Sequence, residues 1–118
     1  MSKIMVVDDA QFTRLRLNKL LTQNGYEVIE AEDGNEAVQT YRSAKPDAVL
    51  LDITMPHKDG LTTLAEIRTF DPRAKVIMLT ALGQQGLMLA AMKAGATDFV
   101  VKPYEADRLT RVLQKALA

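Results

Sequence analysis

The chain has 118 residues, 47% hydrophobic and 25% charged, with 15 basic and 15 acidic side chains and a formal net charge of zero. That length suits one domain with a real core, and the balanced charge gives no bulk attraction for nucleic acid or an anionic membrane. With no cysteine and one histidine, disulfides, thiol catalysis, thiolate metal sites and multi-histidine centres are excluded.

Residues 3–7 (KIMVV) read as a first strand. This short apolar run meets an acid pair at Asp8-Asp9, which fits neither a signal peptide nor a membrane span, so a cytoplasmic domain is expected. Residues 12–23 place Leu17, Leu20 and Leu21 on one helical face, and Asn24-Gly25 closes that helix. EVIEA (27–31) is a second strand, less continuous and so expected nearer an edge. An Asp33-Gly34 turn leads into a helix over 35–44 with Ala37, Val38 and Tyr41 on one face, ended by Lys45-Pro46. AVLLD (48–52), apolar on successive residues, predicts a third strand covered on both faces. After a turn at Pro56 and Asp59-Gly60 comes a helix over 61–69 using Leu61, Leu64, Ala65, Ile67 and Arg68, then a break at Asp71-Pro72. KVIML (75–79) is strand four, 84–94 a helix ending at Gly95, DFVV (98–101) strand five, and 105–117 a last helix after the Lys102-Pro103 turn. This alternation predicts an α/β fold, a five-stranded parallel sheet flanked by helices on both faces.

Polar residues stand at the carboxyl ends of four of these strands: Asp8 and Asp9 after the first, Asp52 ending the third, Thr80 at the fourth and Lys102 after the fifth. Open α/β sheets carry their chemistry at that edge. If strands one and three are neighbours, three carboxylates crowd together, and a hard dication such as Mg2+ is the usual relief. Lys102 suits a phosphate or carboxylate, and the Thr80 hydroxyl can donate to a phosphate oxygen. Taken singly, the acid pair reads as a cap or solvated turn, Thr80 as a helix cap and Lys102-Pro103 as an exposed turn. Their conjunction at one edge favours a site.

The stretches VVDDA (6–10), LLDITMPHKDG (50–60), LTALG (79–83) and AGATDFVVKPY (94–104) stand in order and in register. Over its full length the chain thereby resembles the receiver domain of two-component response regulators, most closely the stand-alone, CheY-like chemotaxis type. The resemblance implies a (βα)5 flavodoxin-like fold over 1–118, with the strand order 2-1-3-4-5 known for that family. It implies that Asp52 is the phosphoacceptor for a sensor histidine kinase. Asp9, Asp52 and the Thr54 backbone carbonyl would then ligate Mg2+, with Asp8 acting through water. Thr80, Lys102 and the backbone amides of Thr54 and Ala81 would contact the phosphoryl oxygens. Such chemistry is mainly positioning and neutralisation of charge, with Asp52 the nucleophile and no turnover of an external substrate.

The resemblance also implies a switch in which Thr80 moves towards the phosphoryl group and Phe99 turns inward; the plain alternative is that Phe99 is simply a core strand residue. The output face is then helix four, strand five and helix five. GLMLAAMKA (86–94) is more apolar than one buried stripe needs, so Met88, Leu89 and Met92, beside Leu87, are expected to meet a partner. The plain alternative is a loosely patterned core helix. The expected partners are the kinase and a target such as a flagellar motor switch or a phosphatase, or a second copy of the chain after phosphorylation. No nucleic acid or membrane partner is expected. Arg108, Arg111 and Lys115 read as a solvated face, and His57 as a bystander in a variable loop.

Three rival readings come from other classes. A haloacid-dehalogenase-type phosphatase wants a second aspartate where Thr54 stands. A flavodoxin-like FMN protein would have Asp8 and Asp9 repelling the flavin phosphate. A receiver that only docks, without phosphorylation, is the third. Within the family the chain reads as a chemotaxis regulator, a phosphorelay intermediate or a receiver cut from a longer protein. Thr54 and Leu82, flanking the acceptor, are expected to influence the dephosphorylation rate.

Overall fold

Short runs of successive apolar residues are stable as strands only where both faces of the sheet are covered. In the computed structural model, which describes residues 1–55 and 58–118, these runs form that kind of sheet. The elements are β1 (Lys3–Val7), α1 (Gln11–Gln23), β2 (Glu27–Ala31), α2 (Gly34–Ala44), β3 (Ala48–Asp52), α3 (Gly60–Phe70), β4 (Val76–Ala81), α4 (Gln85–Lys93), β5 (Asp98–Lys102) and α5 (Ala106–Leu117). The strands are all parallel, in the order β2-β1-β3-β4-β5, so β2 is an edge strand as its weaker pattern suggested. Pro56 and His57 lie outside the described residues, and with them the expected turn at Pro56 and the bystander reading of His57.

Alternate side chains along each strand go to opposite faces. Met5, Val7, Val49, Leu51, Val76 and Met78 pack with α2, α3 and α4 through Ala37, Val38, Tyr41, Leu64, Ile67 and Ala91. Ile4, Val6, Leu50, Ile77 and Leu79 pack with α1 and α5 through Leu17, Leu21, Leu109, Val112 and Leu113. Two helices start on aspartate caps: Asp33 accepts from the Glu36 amide at 2.8 Å, and Asp59 from the Thr62 amide at 2.7 Å.

Three details differ from the sequence expectation. β4 and β5 continue to Ala81 and Lys102, because pairing of Thr80 with Val101 and Ala81 with Lys102 uses only backbone groups. The fourth helix runs from Gln85 to Lys93, with Gln84 as its N-cap residue. In α3 the buried set is Gly60, Thr63, Leu64 and Ile67, whereas Ala65 is exposed. That set follows the i, i+3, i+4, i+7 stripe, and Thr63 is tolerated inside because its hydroxyl donates to the Asp59 carbonyl at 2.9 Å.

Tyr41 ties α2 to the end of α3: its buried phenol donates to Asp71 Oδ2 at 2.7 Å. Burial first, and then this bond to Asp71, push the phenol well above its ordinary range, while the bond holds the Asp71 carboxyl below its own. Tyr41→Phe is expected to cost about 1 kcal/mol at neutral pH, read by urea unfolding. A depressed carboxyl contributes stability above its unfolded value, roughly pH 4, and loses it as pH falls through the folded one. The gap between wild type and Tyr41→Phe should therefore narrow below about pH 4. Above about pH 10 the raised phenol costs the wild type stability as the unfolded tyrosine ionises, a loss the variant lacks at this position.

Candidate functional site

The β1–β3 pairing, with Val7 opposite Leu51, sets Asp8 beside Asp52 at the carboxyl edge of the sheet. Asp8, Asp9 and Asp52 each offer a carboxylate oxygen within 4.8 Å of the others. Asp8 is 2% exposed, Asp52 partly buried and Asp9 exposed. Backbone and side chain both hold Asp8: its amide donates to the Ala31 carbonyl at 3.2 Å, and Oδ1 accepts from the Ala10 amide at 2.8 Å. Its carbonyl accepts from Arg14 Nη1 at 2.7 Å, and Arg14 is in turn oriented by Glu30 at 3.1 Å. Sequence reasoning did not single out Arg14 or Glu30, because this brace joins α1 to a different strand.

Lys102, the last residue of β5, brings Nζ to 3.5 Å from Asp8 Oδ2 and 3.6 Å from Asp52 Oδ2. The Thr54 amide donates to Asp52 Oδ1 at 3.2 Å. The Asp52 carboxyl sits above its ordinary range: burial is the largest cause, Lys102 and the Thr54 amide oppose it, and Asp8 and Asp9 add to it. Three carboxyl groups face a single lysine, so the cluster is rich in oxygen donors and short of positive charge. That donor set fits a hard divalent cation such as Mg2+.

Thr80 is 3% exposed, and its hydroxyl donates to the Ala81 carbonyl at 3.3 Å. The Ala81 amide, expected as a phosphoryl donor, donates here to Gln84 Oε1 at 2.7 Å. Gln84 Nε2 donates onward to Thr54 Oγ1 at 2.6 Å. The sequence singled out neither glutamine of ALGQQGL for this place, and adjacent Gln84 and Gln85 carry no local mark of which one folds back.

Phe99 is partly buried against the α2–α3–α4 core and also lines a groove with Val101, Pro103, Tyr104 and Arg108. On α4 the expected partner face is divided. Leu89 is 57% exposed and Leu87 is also exposed, Met88 is half-buried, and Met92 packs partly against the core. Met92 is therefore shared between this face and the core.

A parallel sheet in this order, with an aspartate cluster and a lysine at its carboxyl edge, is the arrangement expected of a receiver domain. The sequence matches the response regulator receiver domain family over residues 4–114, and the chain belongs to that family. It is 52% identical over 117 residues to the chemotaxis protein CheY of Listeria monocytogenes, covering 98% of each chain. Against CheY of Bacillus subtilis it is 47% identical over 116 residues, covering 98% of this chain and 97% of that one. A response regulator receiver domain protein from Clostridium thermocellum is similar in structure, with a TM-score of 0.96, 31% identity and coverage of 99% and 94%. Among the described residues, no helix is long and apolar enough to cross a membrane.

Proposed function

We propose that the chain is a phosphorylation-activated switch of a chemotaxis pathway, which takes a phosphoryl group on Asp52 from a sensor histidine kinase. The observation that carries the reading is the setting of Asp52: acidic neighbours within 4.8 Å and the Lys102 ammonium 3.6 Å from Oδ2. An Asp52 carboxylate oxygen attacks phosphorus, the bond to the donor imidazole nitrogen breaks, and that nitrogen keeps the electron pair. Lys102 meets the charge that develops on the phosphoryl oxygens, and the Thr80 hydroxyl with the Thr54 and Ala81 amides donates to them. Asp9, Asp52 and the Thr54 carbonyl would hold Mg2+, with Asp8 acting through water; the ion supplies charge neutralisation when bound.

The acyl phosphate adds roughly two negative charges and three acceptor oxygens beside a buried threonine. Thr80 turns towards these oxygens, Phe99 fills the space it leaves, and the face of α4, β5 and α5 changes. Leu87, Met88 and Leu89 on that face then meet a target, a flagellar motor switch protein or a phosphatase, or a second copy of the chain. The chemotaxis assignment is supported by identities of about half to CheY relatives over nearly the whole chain.

Intact-mass spectrometry after incubation with acetyl phosphate tests the reading. A single phosphate adduct is expected that needs Mg2+ and is absent from Asp52→Asn. A wild-type chain that takes neither phosphate nor beryllofluoride would be a docking module, and the phosphorylation reading would be wrong.

A further inference from the structure

We infer that the Gln84 side chain is a latch on the phosphoryl seat: it occupies the Ala81 N–H that a phosphoryl oxygen takes, and so sets how readily Asp52 is modified. The inference rests on the reading above, in which Ala81 is one of the phosphoryl donors. A backbone N–H can only donate, so the oxygen of the Gln84 amide faces Ala81 and its nitrogen faces the Thr54 hydroxyl. Both contacts are short, 2.7 and 2.6 Å, and the second joins residues 30 apart in the chain. Gln84 is only partly buried and neighbouring Leu82 is 78% exposed, so burial alone does not impose this arrangement. The two hydrogen bonds hold the side chain across the mouth of the site, from the end of β4 to the loop after β3.

Gln84 is also the N-cap residue of α4. Its amide donates to the Ala81 carbonyl at 3.2 Å, and its own carbonyl accepts from Met88 at 2.9 Å. One residue thus links a phosphoryl donor, the loop that carries Thr54, and the first turn of the helix bearing Leu87 and Leu89. A single N–H cannot serve two acceptors at full strength, so a phosphoryl oxygen arriving at Ala81 displaces Oε1. The bond to Thr54 then loses its anchor, and the start of α4 is freed from the β3 side of the site. Site occupancy and the output helix are coupled through this exchange, and its cost belongs to the switching equilibrium.

Gln84→Met keeps the length of the side chain and removes both its donor and its acceptor; Gln84→Ala removes the reach as well. The full chain, wild type and each variant, is titrated with beryllofluoride in Mg2+ and followed by amide proton–nitrogen spectra, with urea unfolding to establish that each is folded. The midpoint should fall by about 3- to 10-fold in both variants, the worth of one net hydrogen bond, and the Ala81 amide should shift even without beryllofluoride. A residue that merely stabilised the turn would lower the unfolding midpoint and leave the beryllofluoride midpoint unmoved. An unchanged or raised midpoint beside a normal wild-type titration overturns the latch and leaves the receiver reading standing. A wild type that behaves like Asp52→Asn, with no titration, removes the reading and the latch together.

Discussion

Lys102→Met is expected to slow phosphoryl uptake from acetyl phosphate by about 10²- to 10³-fold while leaving the chain folded. The ammonium stands 3.5 and 3.6 Å from two carboxylates, and its side chain is about one-third exposed. Methionine keeps most of the apolar length of the lysine stem, so the substitution chiefly removes the charge. A fixed cation aimed where charge develops acts on the transition state more than on the bound ground state. The loss should therefore lie in the maximal rate of adduct formation, with little change in the acetyl phosphate concentration giving half that rate. Intact-mass time courses at saturating Mg2+ separate the two quantities. An unchanged maximal rate would mean that Lys102 only balances Asp8 and Asp52 and takes no part in the transfer.

Gly60→Ala should destabilise the fold by about 1–3 kcal/mol and disturb phosphorylation with it. A methyl group at Gly60 would lie 2.5 Å from the Asp52 carbonyl oxygen, 2.7 Å from Ile53 Cα and 2.9 Å from the Ile53 carbonyl oxygen. All three are backbone atoms, which cannot rotate aside as a side chain would. The Gly60 amide is bonded to the Ile53 carbonyl at 3.1 Å, so relief of the clash moves the segment that carries Asp52. Gly86 in α4 is the natural control, because an added methyl meets nothing within 4 Å there. Helix propensity favours alanine over glycine by about 1 kcal/mol, so Gly86→Ala should stabilise by up to roughly that amount. The same exchange in two helices thus has opposite expected signs, read from urea midpoints side by side. If Gly60→Ala stabilised as well, the close approach of α3 to the end of β3 would not exist.

What could be read along the chain was local. All ten elements stand within two residues of where periodicity and turn residues placed them. Hydrophobic spacing and helix ends such as Asp33, Asn24 and Lys45-Pro46 act over a few residues and need no tertiary partner. The positions of Asp8, Asp52, Thr80 and Lys102 at strand ends were legible for the same reason. Strand order was not, since five apolar runs are interchangeable as patterns; it came from likeness to a family, and pairing of Val7 with Leu51 is what brings Asp8 to Asp52. The rotation of α3, with Thr63 inside and Ala65 outside, follows from packing against the sheet. Gln84 is the clearest case of a tertiary decision. Its two hydrogen bonds depend on two loops meeting across the sheet edge, and a contact between residues 30 apart leaves no trace in the pattern of either.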